Sequence, residues 1–230
     1  LRGRIDVFDR QVGRFLSGDY ECVDADGRLL FRVSGWRDRF FSVPHRFYVA
    51  RTDPRQGWYG IPLACEGLAP EILLWRLPAF PDGFLEDAGS IWKRVLAHTV
   101  LGFGERDQWR ALPRHPATRR AWLLERLAAK EVARLWLWHT AGALPMPADV
   151  VPVTDSGHSW AAGPASESLG LAPALATAWL AGDVLAACAP PGTGVGLAAA
   201  WAVASAPAET HGMLANLAGQ AAQRAFPDRG

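Results

Sequence analysis

Four cations recur along residues 117–138, ATRRAWLLERLAAKEVARLWLW: Arg119, Arg126, Lys130 and Arg134. At one hundred degrees per residue they share a sector of about eighty degrees on a helix, with like charges at i, i+4. Such spacing costs a few tenths of a kcal/mol per pair, so a partner is worth seeking. One reading is a solvated basic face; the other is a clamp for a phosphate or carboxylate. After Arg134 no Lys or Arg occurs until Arg224, while Asp149, Asp155, Glu167, Asp183 and Glu209 fall in the gap. A phosphate clamp in the later chain therefore has to come from residues earlier in the sequence or from another chain.

Other constellations are weaker. Lys130-Glu131 offers a base and a metal ligand, but consecutive helical side chains point about a hundred degrees apart, and a surface pair is the plainer reading. Asp155, Ser156, His158 and Ser159 hold the letters of a hydrolase triad. Neighbours in a turn rarely face one another, so a polar turn accounts for them better. Gly192-Thr-Gly-Val-Gly lacks the Lys-Ser/Thr of a phosphate loop and the spacing of a dinucleotide fingerprint. His98 lies on an apolar helical stripe and reads as a buried, hydrogen-bonded histidine. Trp36, Trp58 and Trp92 are candidates to line a pocket among eleven tryptophans that are mostly core. Cys22, Cys65 and Cys188 have no paired spacing, which points to a reducing, cytoplasmic setting and gives no zinc site.

The elements that must position these groups follow from periodicity. Residues 117–138 contain no Gly or Pro and predict a helix started by Pro116 and Thr118 and stopped by Gly142 and Pro145. Leu124, Ala128, Val132, Leu135 and Trp136 form its apolar stripe. Residues 4–50 read as antiparallel β. Asp26-Gly27 is a hairpin turn between residues 19–23 and 28–36, and residues 47–50 are a further strand candidate. Leu29, Phe31 and Val33 share one face of the second strand, which predicts a sheet with one wet side. Residues 54–81 are punctuated by Pro and Gly and read as irregular. Helices are expected from 87 to about 102 and from 106 to 112, and a strand over 149–153. Residues 161–172 read as a loop, residues 175–188 as strand or helix, and an Ala-rich helix is expected over about 209–226.

At 230 residues the chain can bury a sizeable core in one or two domains. Half its residues are hydrophobic, a fifth are charged and the formal net charge is +1, which argues against a nucleic-acid binder. No apolar run is long enough to span a bilayer. The chain opens on Leu without a signal-peptide pattern and reads as a piece of something longer.

Two stretches carry a resemblance. GDYECVDADGRLLFRVSGWRDRFFSVPHRFY at 18–48 resembles the late strands of polyketide synthase dehydratase domains, which have a hot-dog fold. RRAWLLERLAAKEVARLWLW at 119–138 resembles the N-terminal lobe helix of the phosphopantetheinyl transferases fused behind such dehydratases in iterative, enediyne-type synthases. The resemblance implies an α+β chain: an antiparallel hot-dog-like β segment over 1–82, then a degenerate phosphopantetheinyl transferase-like α/β lobe over 83–230. It also implies a cytoplasmic setting in bacterial secondary metabolism, with an acyl carrier protein and other synthase domains as partners and homo-oligomerisation as an option.

The departures decide what activity the resemblance implies. Where the family has a histidine that contacts coenzyme A, PALATAW at 173–179 offers Thr177. Where it has two magnesium-binding acids, GVGLAAA at 194–200 offers Ala198 and Ala200, which cannot bind a hard cation. The family's Gly-Lys/Arg-Pro turn is replaced by Gly157-His158-Ser159, and its later Lys-Glu helix has no counterpart, since residues 201–230 contain no lysine. The dehydratase's histidine and aspartate motifs are likewise missing, and His45 is a poor substitute. The expectation is a non-catalytic structural or carrier-protein-interaction module with no catalytic residue, metal or cofactor. The alternative is an active transferase using coenzyme A and magnesium, or part of a dehydratase. On a third reading coenzyme A still binds without turnover through Arg119, Arg126, Lys130 and Arg134.

Overall fold

The computed structural model describes residues 2–9, 15–39 and 43–197, and the chain divides into two compact units, Leu1–Val43 and Pro44–Gly230. The first unit is a three-stranded antiparallel meander of β1 (Arg2–Asp9), β2 (Phe15–Val23) and β3 (Leu29–Arg39). Its β2–β3 turn is built locally. Asp24 Oδ1 accepts the backbone N–H groups of Asp26 and Arg28 at 3.0 and 2.9 Å, and Gly27 supplies a φ of 81°. Asp19 on β2 accepts from Arg32 Nη2 and from the Gly35 N–H, tying β3 down where its register shifts. Both sides of β3 are exposed, with Leu29, Leu30 and Phe31 each about half accessible, so the single wet side expected from alternation is not found.

The second unit is a six-stranded antiparallel sheet in the order β4-β5-β9-β8-β7-β6. Its strands are β4 (Ile61–Leu63), β5 (Leu73–Leu77), β6 (Val151–Asp155), β7 (His158–Ala162), β8 (Ala174–Leu180) and β9 (Asp183–Ala189). Strand β5, from the Pro-punctuated region, thus pairs with β9 more than a hundred residues later, and the expected division at 82/83 falls inside this unit. The prolines obscured β4, whereas β6 lies close to the strand expected at 149–153, and in both strands they explain the position in the sheet. Pro62 and Pro152 lack an N–H, and both occupy edge strands, where one ladder side needs no donor. Residues 175–188, ambiguous by period, become the β8–β9 hairpin because Ala181 and Gly182 take φ values of 49° and 91°, the hand that matches strand twist.

Among the described residues, five α-helices complete the unit: α1 (His45–Thr52), α2 (Asp87–Val100), α3 (Phe103–Ala111), α4 (Pro116–Ala141) and α5 (Pro164–Leu169). The strand expected at 47–50 is helical. Pro44 opens it, and Phe47 and Ala50, one turn apart, are fully buried. Phe47 meets Tyr59, Phe80, Phe84 and Trp92 edge-on, with ring centroids 5.0–6.0 Å apart. Residues 161–172, read as a loop, hold the end of β7 and α5. Helix α4 packs across β5, β8 and β9. The buried residues of β9, Val184, Ala186, Ala187, Cys188 and Ala189, alternate between the two faces of the strand and are all small, which lets a long helix lie close on one of them. The Ala-rich helix expected at 209–226 lies outside the described residues. Among the described residues no helix is long and apolar enough to cross a membrane.

Gly57 follows α1, where an added Cβ would come within 2.4 Å of Ala50 Cα and 2.9 Å of the Asp53 carbonyl oxygen. Backbone cannot yield as a flexible side chain can. Gly57→Ala is expected to cost about 2 kcal/mol or more, a fall in Tm of ~4–8 °C for a unit this size. Calorimetry checks it, and an unchanged Tm would contradict the packing described.

Candidate functional site

Helix α4 begins with Pro116 at its first turn and ends on Gly142, whose φ of 66° turns the chain and whose N–H returns to the Trp138 carbonyl. Leu124, Ala128, Val132 and Trp136 are buried as the apolar stripe requires, and Leu135 is half-buried. The basic stripe is not a solvated face. Lys130 and Arg134 have no solvent exposure, and Arg126 and Arg119 are half-buried.

Each cation meets backbone carbonyls of the loops around the helix. Arg119 donates through Nη2 to the carbonyls of Arg110 and Leu112 at 2.7 and 2.8 Å, holding the α3–α4 connection. Arg126 Nη1 donates to the Pro152 carbonyl and lies 3.5 Å from Glu105 Oε1. Lys130 Nζ donates to Glu105 Oε2 at 2.6 Å and to the Pro147 and Val150 carbonyls at 2.9 and 2.5 Å. Arg134 donates to the carbonyls of Pro145, Pro54 and Arg55 at 2.8, 3.0 and 2.6 Å. Its guanidinium lies 4.5 Å from the Trp58 ring centroid, a cation–π contact beside an Nη1 that has no hydrogen-bond partner.

Glu131 is also fully buried, so Lys130-Glu131 is not a surface pair. The two side chains diverge as helical geometry requires. Glu131 accepts the N–H groups of Tyr59 and Gly60 at 2.5 and 2.9 Å and Trp75 Nε1–H at 2.9 Å. Burial dominates the ionisation of Lys130, Glu131 and Arg134. It lowers Lys130 to about 8 against the pull of Glu105, and lowers Arg134 to about 10 against the pull of Glu131. It raises Glu131 to about 7, opposed by the three donors and by Arg134.

Beside this network the helix opens onto a cleft of about 190 Å³, lined by Trp122, Glu125, Arg126 and Ala129 of α4, Pro152 and Thr154 of β6, Ser159 of β7 and residues 175–177 of β8. Arg126 stacks 4.6 Å from the Trp122 ring centroid, Glu125 accepts Trp179 Nε1–H, and Thr154 Oγ1 lies 2.8 Å from Ser159 Oγ. The cleft is smaller than the roughly 300–1,000 Å³ of an ordinary small-molecule site, so it suits a fragment of a ligand rather than a whole cofactor. Its charged pair is Glu125 and Arg126, and Ser159 has a hydroxyl neighbour in place of a base. Of the four cations only Arg126 lines it; Arg119, Lys130 and Arg134 are held elsewhere by their carbonyls.

The remaining candidates disperse. Asp155 and His158 are opposed across the β6–β7 hairpin, Ser156 donates to Asp155 at 3.2 Å, and all three are exposed in a turn whose Ser156 and Gly157 take φ values of 50° and 82°. His98, expected in the core, is exposed and lies 3.3 Å from Arg106 Nη1. Trp58 stacks near Trp75, whereas Trp92 belongs to the Phe47 cluster, so they do not line one pocket. All three cysteines are free thiols. Thr177 does line the cleft, while Ala198 and Ala200 lie outside the described residues. Among the described residues no three His, Cys, Asp or Glu side chains are grouped to hold a metal ion. Periodicity missed Glu105, the buried counter-ion. Its one local signal is its place three residues after Gly102, whose N–H it accepts at 3.0 Å.

Lys130→Met leaves Glu105 buried beside Arg126 alone and strands two loop carbonyls, for an expected loss of about 3–5 kcal/mol. Glu131→Gln turns an amide NH2 toward N–H donors and is expected to cost roughly 1–3 kcal/mol although it is nearly isosteric. Urea unfolding of both variants checks this, and losses under ~0.5 kcal/mol would show that the network contributes little. No family model, no curated protein and no solved structure matches this chain.

Proposed function

We propose that this chain is a non-catalytic structural or carrier-protein-interaction module of a bacterial polyketide synthase. In this reading the three-stranded unit is the end of a hot-dog-like dehydratase segment, and the six-stranded unit is a degenerate phosphopantetheinyl transferase-like lobe. It rests on the two stretches at 18–48 and 119–138, and one structural observation carries its non-catalytic side. The helix that most resembles the transferase has its basic stripe directed at backbone carbonyls and Glu105, so these cations act as scaffold rather than as a phosphate clamp. Replacing a bound carbonyl by a ligand phosphate would require a loop to move and would leave that carbonyl unpaired, at a cost of about 1–3 kcal/mol each.

A second reading, retained binding of coenzyme A or acyl-phosphopantetheine without turnover, is favoured by Arg126 alone, because that side chain reaches the cleft. Transfer itself needs magnesium on the pyrophosphate to neutralise developing charge, and losing its ligands removes several kcal/mol of transition-state stabilisation.

Incubation with coenzyme A, magnesium and an apo carrier protein is expected to give no mass gain on the carrier protein above the protein-free control. Modification far above background would establish the active-transferase alternative. Calorimetric titration with coenzyme A separates the other two readings: absence of heat at millimolar ligand supports scaffold, whereas binding weakened tenfold by Arg126→Ala supports retained recognition.

A further inference from the structure

The cations of α4 differ in which of their donors remain. Lys130 uses its ammonium on Glu105 and two carbonyls, and Arg119 and Arg134 both spend the Nε–Nη2 edge of the guanidinium on loop carbonyls. Arg126 is held by the opposite side. Its Nη1 donates to the Pro152 carbonyl and lies 3.5 Å from Glu105 Oε1, whereas Nε–H and Nη2–H have no protein partner among the described residues. Those two N–H groups are the edge of a guanidinium that meets both oxygens of a carboxylate in parallel hydrogen bonds.

The free edge belongs to a side chain that is fixed in place. Glu105, which helps to hold it, is itself held by Lys130 at 2.6 Å and by the Gly102 N–H at 3.0 Å, and the Trp122 ring centroid lies 4.6 Å from the Arg126 guanidinium. The Arg126 side chain is 21% exposed, so an ion pair formed there is screened less than one on an open surface. A donor pair positioned before the ligand arrives loses little freedom on binding.

The cleft that Arg126 lines defines what would meet it. Thr154 Oγ1 and Ser159 Oγ lie 2.8 Å apart, and since one O–H is used between them, the other remains free to donate. Ala129, Pro152 and Leu175 supply an apolar wall, and a volume of about 190 Å³ admits a short chain. The charged lining is Arg126 together with Glu125, whose carboxylate accepts Trp179 Nε1–H. One cation beside one acid suits a monoanion and leaves a dianion such as phosphate undercompensated.

We propose that this cleft is a binding site for a short-chain monocarboxylate, its carboxylate on the Nε–Nη2 edge of Arg126 and its aliphatic end against Ala129, Pro152 and Leu175. The site stands independently of the module reading, and transferase turnover in the mass assay would leave it in place.

The test is a titration of the isotope-labelled full chain with butyrate, followed by nuclear magnetic resonance, with butyramide and inorganic phosphate run beside it. Butyrate is expected to bind with a dissociation constant on the order of 1 mM and to shift the Trp122 indole N–H and the amides of Ser159 and Thr177. Butyramide, which has the same shape without the charge, is expected to bind at least tenfold more weakly. Arg126→Lys keeps the charge but loses the fork and is expected to weaken binding about tenfold. Thr177 is exposed on β8 at the mouth of the cleft, so Thr177→Phe is expected to block binding while the melting temperature stays unchanged, a check that does not depend on altering the Arg126 anchor. No saturable shift with butyrate, or binding that ignores both substitutions, overturns the site. Butyramide binding as tightly as butyrate, or phosphate binding as tightly or more so, overturns the ligand class.

Discussion

The burial of a charged helix face is the constraint on which the second unit depends. A 26-residue helix with Lys130, Glu131 and Arg134 fully inside can exist only if every charge finds partners, since an uncompensated buried ion costs several kcal/mol. The partners come from outside the helix. Glu105 arrives on α3, and the carbonyls arrive from the loops at 54–55, 110–112, 145–152 and the N–H groups from 59–60. The helix therefore fixes these loops.

This arrangement explains how an irregular, proline-rich chain holds a defined shape. Loops carry carbonyls and N–H groups that need partners, and water normally supplies them. Here, long side chains from one rigid element supply them, so positions far apart in sequence are tied to a single axis. Glu131 is the clearest case: one carboxylate joins the 59–60 backbone to Trp75 on β5, and thereby α4 to the sheet. The same geometry restricts function. A cation that donates two or three hydrogen bonds to carbonyls has little left for a ligand, and the cleft beside it retains only Glu125 and Arg126 as charged lining.

Not every basic residue of the second unit is held inside. The contrast between the two basic regions is physical. On α4 the cations face elements packed against them and become internal struts, whereas Arg94 of α2 and Arg110 of α3 are exposed, as is Phe103. Spacing on a helix says which side chains share a face, and it does not say whether that face is covered.

Sequence alone determined the elements whose periodicity is long and uninterrupted. Helix α4, its apolar stripe, its Gly142 stop, helix α2 and the Asp26-Gly27 hairpin all follow from local propensity and capping chemistry. The α+β class follows as well. Tertiary structure decided the rest, because it depends on contacts between distant residues. Strands β4 and β5 are short and lie in a proline-punctuated stretch; β5 is held by β9 across a hundred residues of chain, and β4 adds to β5 at the sheet edge. Residues 47–50 have β-forming side chains, yet burial of Phe47 and Ala50 on one helical face outweighs that preference. The fate of Arg119, Arg126, Lys130 and Arg134 was decided in the same way. Their shared sector was legible from their spacing over about four turns of one helix, but the carbonyls and the Glu105 carboxylate that fill it come from segments whose approach no local pattern encodes.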